Sequence, residues 1–270
     1  MFRFAKMSDR KDLIELWYDC FGDGEKFVSA FLDNFLKEDT AYVCEEAGKI
    51  QSVVYALDCM IGSTKACYFY AIATDSHFRR RGLARREIEF LIDYKSKQGT
   101  EIFLLTASSE KNNAYYKHLG FSDAFYCEKK TFYKTDEKVS VTEKSDTHKI
   151  YDLRRKLFSG EGFVSFPKEH VDFALKFTER VFLFEENGET SGYALADGKK
   201  IVEICCEKEQ EKFISAVLEK IGAEKADIYL PIHTDICDFG CKISRGMVYC
   251  SNENLKRKIG ENVFLSLNLE

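Results

Sequence analysis

The spacing of apolar residues predicts a mixture of helices and strands in the first half of the chain. Apolar side chains three and four positions apart predict helices over residues 27–36 and 83–97, and Gly99 suits the end of the second. Residues 66–74 form an apolar, strand-like run, and residues 102–106 are apolar throughout, as expected of a strand buried on both faces. We predict the order strand, two helices, three strands, helix, strand, helix and two strands.

The second half of the chain repeats this order. Strand-like residues 2–4 and the helix cap at residues 8–9 recur at residues 139–141 and 145–146, an offset of 137 positions. Two hairpin patterns also correspond, one turning at Gly48 and the other at Gly188. We therefore predict a duplicated domain with its boundary in the charged stretch 134–138, which gives domains 1–134 and 135–270.

Composition narrows the classes of function without selecting one. The 270 residues carry a formal net charge of −5, which gives no support to a general nucleic-acid or membrane-binding role. No apolar run is long enough to span a bilayer, and no signal-peptide pattern opens the chain. The ten cysteines are expected to be reduced thiols rather than a disulfide framework. We expect a cytoplasmic protein that binds neither nucleic acid nor a membrane.

A glycine within a cluster of arginines forms the most informative stretch, Phe78-Arg79-Arg80-Arg81-Gly82-Leu83-Ala84. A predicted strand precedes it and a predicted helix follows. The first amides of a helix have no intrahelical acceptor, and the helix dipole favours negative charge beside them. Glycine lets a phosphate approach the backbone without meeting a Cβ atom. The sequence therefore predicts a pyrophosphate site; a nucleic-acid patch is less favoured, because no stacking aromatics interleave the arginines.

Two motifs together resemble the GNAT superfamily of acyl-CoA-dependent N-acyltransferases. The segment 79–84 fits the pattern [R/Q]-x-x-G-x-[G/A] between a strand and a helix, and residues 116–121 fit a tyrosine followed, after three residues, by Gly-Phe. The resemblance covers residues 1–134 directly and the remainder only through the internal repeat. It implies an α/β (α+β) fold of two tandem GNAT-like domains, each a mixed, mostly antiparallel sheet flanked by helices.

The resemblance also implies a role for particular residues. Tyr116 is the implied catalytic acid that protonates the departing thiolate; the alternative is that it only packs beside Tyr115. Backbone groups near Ile72 are implied to stabilise the oxyanion. The implied contacts to acetyl-CoA, the co-substrate, come from Ile72, Ala73 and Thr74 for the pantetheine arm and from Arg79, Arg80, Arg81, Gly82, Leu83, Ala84 and Asn113 for the remainder.

The implied reaction moves an acetyl group from acetyl-CoA to a primary amine of a small molecule or peptide, by direct attack in a ternary complex. The alternative is a non-catalytic acyl-CoA-binding sensor or scaffold. Asp58, Asp75 and Glu45 fall near strand ends, but such carboxylates are usually solvated, so no general base is assigned.

The corresponding segment of the second half lacks the features of a phosphate site. Residues 204–211 contain no arginine and no glycine but three glutamates, and Ile236 stands where a tyrosine would precede Gly240 by four positions. We predict that this half keeps the fold without a coenzyme A site. His233, Cys237 and Cys241 are spaced four apart, but the usual C-x-x-C spacing of a metal site is absent, so buried thiols are the favoured interpretation and no metal is expected.

Overall fold

The computed structural model describes residues 1–158, 160, 162–231 and 241–266, which fall into two compact units. The first unit contains Met1–Asp123 and Gly246–Arg257, and the second contains Ala124–Arg245 and Lys258–Glu270. These units divide the chain at other points than the boundary predicted after residue 134. That boundary concerns the two sequence repeats and stays a prediction.

The helices and strands of the first unit follow the order that the apolar pattern predicts as far as its last helix. Its elements are β1 Phe2–Phe4, α1 Arg10–Phe21, α2 Glu25–Phe35, β2 Ala41–Glu46, β3 Lys49–Ile61, β4 Thr64–Thr74, α3 Leu83–Lys97, β5 Ile102–Leu105, α4 Glu110–His118 and the start of β6 Ser122–Tyr133. Two short 3-10 helices, Met7–Asp9 and Ser76–Phe78, precede α1 and α3. The helix predicted over residues 83–97 is confirmed at both ends.

The sheet of the first unit is mixed and mostly antiparallel. Its strands lie in the order β1-β2-β3-β4-β5, and only β4 and β5 run parallel. The next position is filled by residues 247–249, which pair antiparallel with residues 103–105. The prediction of two strands after α4 is therefore wrong: one strand follows, and the segment beside β5 comes from far along the chain.

Helices cover both faces of this sheet. On one face Trp17 of α1 packs against Phe31 of α2 and against Tyr55 and Tyr70 of the sheet, with ring centroids 4.8 to 5.8 Å apart. On the other face α3 and α4 enclose an apolar cluster that includes Ile88, fully buried. Because side chains alternate between the faces of a strand, β3 supplies both layers.

The second unit has a similar sequence of elements. They are β7 Val141–Glu143, α5 Thr147–Leu157, β8 Val164–Ser165, α6 Lys168–Phe177, β9 Arg180–Glu186, β10 Glu189–Asp197, β11 Lys200–Cys206, α7 Gln210–Ile221, β12 Lys225–Pro231 and parts of β6, β13 Cys241–Tyr249 and α8 Glu253–Asn262. Four strands form an antiparallel sheet in the order β11-β10-β9-β7, and β12 pairs with β6. Both predicted glycine hairpins are confirmed: Ala47-Gly48 and Asn187-Gly188 all have positive φ, as two-residue turns of this kind require.

The predicted fold class is confirmed: mixed α/β, with antiparallel-dominated sheets flanked by helices. Within the described ranges, no helix combines the length and the apolar character needed to cross a membrane.

Candidate active site

In the sheet of the first unit, β4 extends beyond the last residue that pairs with β5, and this leaves a gap between the two strands. The parallel pairs join residues 66–68 to residues 102–104, whereas β4 continues to Thr74. On its other edge β4 carries a bulge: Tyr55 pairs with Tyr70 and Val53 with Ala73, so two residues of β4 lie opposite one of β3. Ala71, within the bulge, has a φ of 45°. A bulge bends its strand and adds twist, and here it does so just beyond the last pair with β5.

The loop from β4 to α3 has a backbone shaped for an anion. Asp75 caps the short 3-10 helix by accepting a 2.8 Å hydrogen bond from the His77 amide. Arg80 and Gly82 then both take positive φ, 63° and 76°, before α3 begins at Leu83. Alternation between left- and right-handed conformations turns successive N–H groups towards one point, and the helix dipole adds to them.

Gly82 also leaves room for a ligand. A Cβ atom placed on this residue would meet no heavy atom within 4 Å, so the backbone faces open space. No side chain caps the start of α3 among the residues described. The amides of the first turn therefore remain available to a phosphate.

The arginines of this loop differ in how they are held. Arg80 is exposed, and no hydrogen bond or ion pair joins it to the described part of the chain. The others have partners: Arg79 donates to the Thr74 carbonyl (3.0 Å), Arg81 to that of His77 (3.3 Å), Arg85 to Glu89 (2.7 Å), and Arg86 lies over the ring of Phe2 (5.8 Å). Arg80 is consequently the cation best placed to move towards a ligand.

A second helix start lies beside a cavity of about 410 Å³. Ser109 caps α4 by accepting a 3.2 Å hydrogen bond from the Asn112 amide. The cavity lining consists of Ala107, Ser108, Ser109, Glu110 and Asn113. Asn113 donates through its side-chain amide to Asp123 at 2.7 Å, which fixes its direction on the helix. The structure thus places the predicted Asn113 on the wall of an open cavity.

Tyr116 is held by the turn that ends α4. The Phe121 amide donates to the Tyr116 carbonyl at 3.1 Å and the Gly120 amide to that of Lys117 at 3.0 Å, the two bonds of a Schellman motif. Gly120, with a φ of 91°, takes the left-handed position that this motif requires. The Gly-Phe that follows the tyrosine in sequence is therefore the element that orients the helix end.

The Tyr116 side chain is nearly buried, and burial raises the pKa of its phenol well above the ordinary value. Its ring packs edge-on against Tyr115 and Phe121, with centroids 5.2 and 6.1 Å away. Ile72 of the bulged strand and Ala107 of the cavity pack against the same apolar cluster. The fold thus brings three sequence-predicted features together: the end of β4, the start of α4 and Tyr116.

The strand-end carboxylates each have a structural partner. Asp58 lies 3.2 Å from the buried Lys95 amine, and Asp75 caps the loop beside His77. The Glu45 carboxylate accepts a 2.8 Å hydrogen bond from Arg3. We assign no general base among them. Sequence reasoning missed Glu87, a buried carboxyl beside this loop.

The second unit differs at the corresponding place. Residues 207–209 alone join β11 to α7, whereas residues 75–82 join β4 to α3. Glu209, with a φ of 52°, stands directly before α7 as Gly82 stands before α3. Pairing of β10 with residues 204–206 is regular, so no bulge opens the end of β11.

The structure does not describe the side chains of the three candidate metal ligands. His233 and Cys237 lie outside the described residues, and the side chain of Cys241 does as well. No group of three potential metal ligands occurs in the ranges that the structure describes.

Comparison with known proteins bears on the first unit. Residues 1–124 match the family model described as "Acetyltransferase (GNAT) domain". The match covers a little less than half of the chain and coincides with the first unit. A comparison with curated proteins gave no match.

Solved structures show the fold across most of the chain. A GCN5-related N-acetyltransferase from Anabaena variabilis has a TM-score of 0.74 at 10% identity, covering 94% of this chain and 74% of that one. Another, from Kribbella flavida, has a TM-score of 0.69 at 14% identity, covering 94% and 72%. At such identities the likeness establishes the fold alone.

Proposed function

We propose that the GNAT domain binds acetyl-CoA and transfers its acetyl group to a primary amine by direct attack in a ternary complex. One observation carries the proposal: the gap between β4 and β5 leads directly to a loop whose backbone is shaped for phosphates. A long ligand with an anionic end and an extended, amide-bearing arm fits that combination. Coenzyme A has this form.

The cofactor would lie along β4. Ile72 and Ala73 extend beyond the last pair with β5, and the pantetheine amides would bind their backbone as an added strand does. The Thr74 carbonyl already accepts from Arg79, so Thr74 contributes through the position of that arginine. The pyrophosphate would bind the amides of residues 80–84, with the cavity wall at Asn113 beside the acyl end.

The reaction requires a neutral amine, stabilisation of the oxyanion and a proton for the departing sulfur. A neutral amine attacks the thioester carbonyl, the C–N bond forms, and the C–S bond then breaks. A backbone N–H near Ile72, at the bulge, would stabilise the oxyanion. Tyr116 would give its proton to the departing sulfur and regain one through solvent, balanced by the proton that the attacking nitrogen loses as the amide forms.

Arg80 is predicted to bind the 3′-phosphate of coenzyme A, because it is the exposed arginine of the β4–α3 loop that no hydrogen bond or ion pair joins to the described residues. Arg80→Ala is expected to raise the Kd for coenzyme A about tenfold, the effect of losing one charged hydrogen bond. The Kd for 3′-dephospho-coenzyme A should remain unchanged. An equal loss for both ligands would contradict the assignment; Lys97→Ala, on the last turn of α3, is the matched control.

The test of the proposed activity is release of coenzyme A from acetyl-CoA in the presence of amines. The panel should contain small-molecule amines, peptide N-termini and lysine-containing peptides, since the acceptor class is open. Amine-dependent release of coenzyme A, with an acetylated product of matching mass, supports the proposal. Binding of acetyl-CoA without turnover across the panel contradicts it.

The second candidate is a non-catalytic acyl-CoA sensor. The burial of Tyr116 favours it, because a phenol with a raised pKa is a weaker acid than an exposed one. A sensor would bind acetyl-CoA and release it unchanged.

The second half of the chain is proposed to be a degenerate copy without a coenzyme A site. The short link before α7, the regular end of β11 and the glutamates around Glu209 support this. We likewise propose a repeat boundary at 134/135, a cytoplasmic location and an amine acceptor.

A further inference from the structure

Glu87 is a buried carboxyl on α3, little more than one turn beyond the glycine that opens the helix. Its side chain is fully buried and lies against the sheet. One carboxyl oxygen, Oε1, accepts a 2.6 Å hydrogen bond from the Ser52 hydroxyl. The other, Oε2, is buried without a hydrogen-bond partner among the described residues. An orphaned buried polar atom is costly, so such a group calls for an explanation.

The position of Glu87 ties it to the proposed phosphate site. Ser52 pairs with Thr74, the last residue of β4, and with Cys44 on the opposite edge. The carboxyl therefore lies level with the strand end from which the phosphate loop departs. At a rise of about 1.5 Å per residue, Glu87 is only about 7.5 Å along the helix from Gly82. An anion at the start of α3 would lie within about 10 Å of this carboxyl.

Among the described residues no cation acts on the Glu87 carboxyl: Arg86 and the Met1 amino terminus act on Cys44, and Arg85 acts on Tyr115. The groups that face it are Tyr42 and Cys44 from β2, Ser52 from β3 and Tyr115 from α4, and none of them is basic. Burial raises the pKa of Glu87 to about 8, while the hydrogen bond from Ser52 opposes the rise. The pKa values of the two tyrosines and of the cysteine are also raised, so these groups stay neutral where Glu87 titrates.

We propose that the phosphates of coenzyme A bind more tightly when Glu87 is neutral, so that binding to the ionised protein takes up a proton on this carboxylate. The inference rests on the proposed coenzyme A site and makes Glu87 a positioning residue. Two like charges about 10 Å apart at an effective dielectric near 20 repel enough to change Kd about tenfold. By linkage, ligand binding and proton binding then favour each other.

The sign of the pH dependence follows from the raised pKa. Below pH 8 Glu87 is already neutral, so affinity is full and no proton is taken up. As the pH rises through 8, the free protein loses the proton that the complex retains. Affinity for coenzyme A should therefore fall over that range and level off only above the higher pKa of the complex.

The experiment is calorimetric titration of the full chain with desulfo-coenzyme A, which lacks the titrating thiol, in two buffers of different ionisation enthalpy. At pH 8.5 wild type should take up about half a proton per ligand, and its Kd at pH 9 should be about fivefold weaker than at pH 7. Glu87→Gln should show neither effect. Glu89→Gln, an exposed glutamate on the same helix, should behave as wild type.

A second variant covers the case in which Glu87→Gln does not fold. Ser52→Ala removes a hydrogen bond that lowers the pKa of Glu87, so the midpoint of Kd against pH should move to higher pH. Equal proton uptake in wild type and Glu87→Gln, or an unmoved midpoint in Ser52→Ala, overturns the inference. Absence of binding at every pH would instead overturn the coenzyme A site itself, and this inference with it.

Discussion

Tyr116→Phe is expected to lower kcat about 100-fold or more while leaving the Kd for acetyl-CoA unchanged, the range typical of a lost general acid. The phenol packs within the apolar cluster that also holds Ile72, so phenylalanine fills the same space. What disappears is the proton offered to the departing sulfur. Single-turnover measurement of coenzyme A release separates this chemical step from binding.

The dependence of kcat on pH tests the role of Tyr116 more specifically. Burial holds the pKa of Tyr116 well above its ordinary value, so the acid form persists throughout the usable range. Wild-type kcat should therefore show no decline at high pH that could be assigned to loss of this proton. The matched control is Tyr115→Phe, the exposed neighbour, which should keep kcat within about twofold. Unchanged kcat in Tyr116→Phe would remove the proposed acid and favour the sensor.

Gly82→Ala is expected to weaken coenzyme A binding about 100-fold, equivalent to losing one or two charged hydrogen bonds. The methyl group would project into the open space that the phosphate is proposed to occupy. The substitution also places a side chain at a φ of 76°, which should lower the free energy of unfolding by about 1–2 kcal/mol. Calorimetric Kd and chemical denaturation measure the two effects separately.

Gly99→Ala is the matched control. Gly99 follows the other end of α3 with a φ of 90°, and a Cβ there also meets no atom within 4 Å. Its effect on stability should resemble that of Gly82→Ala, whereas coenzyme A binding should not change. Equal loss of binding in both variants would show that the loss comes from destabilisation and not from the phosphate site.

Local sequence patterns predicted much of this fold for physical reasons. The helix over 83–97 was predictable because its stripe, its opening glycine and its closing glycine all act within a few residues of one another. The hairpins at Gly48 and Gly188 were predictable because the turn selects the residue that tolerates positive φ. Tyr116 and Gly120 belong together for the same reason, since the Schellman motif is local.

Features set by distant contacts were not predictable. Ala71 has positive φ within a strand, although alanine carries no signal for a bulge. Residues 247–249 beside β5 pair across a long stretch of sequence, which apolar periodicity cannot register. In the sequence, Glu87 is one of many charged residues on an amphipathic helix. Its burial depends on where β2 and β3 pass beneath α3.

We propose that the chain has one coenzyme A site and that it lies in residues 1–124. Calorimetric stoichiometry of coenzyme A with the full chain tests it most directly, repeated with Gly82→Ala. One equivalent should bind per chain, and the affinity of that single site should be reduced in the variant. The proposal would be contradicted by two sites of comparable affinity, by no binding, or by one site whose affinity Gly82→Ala does not change.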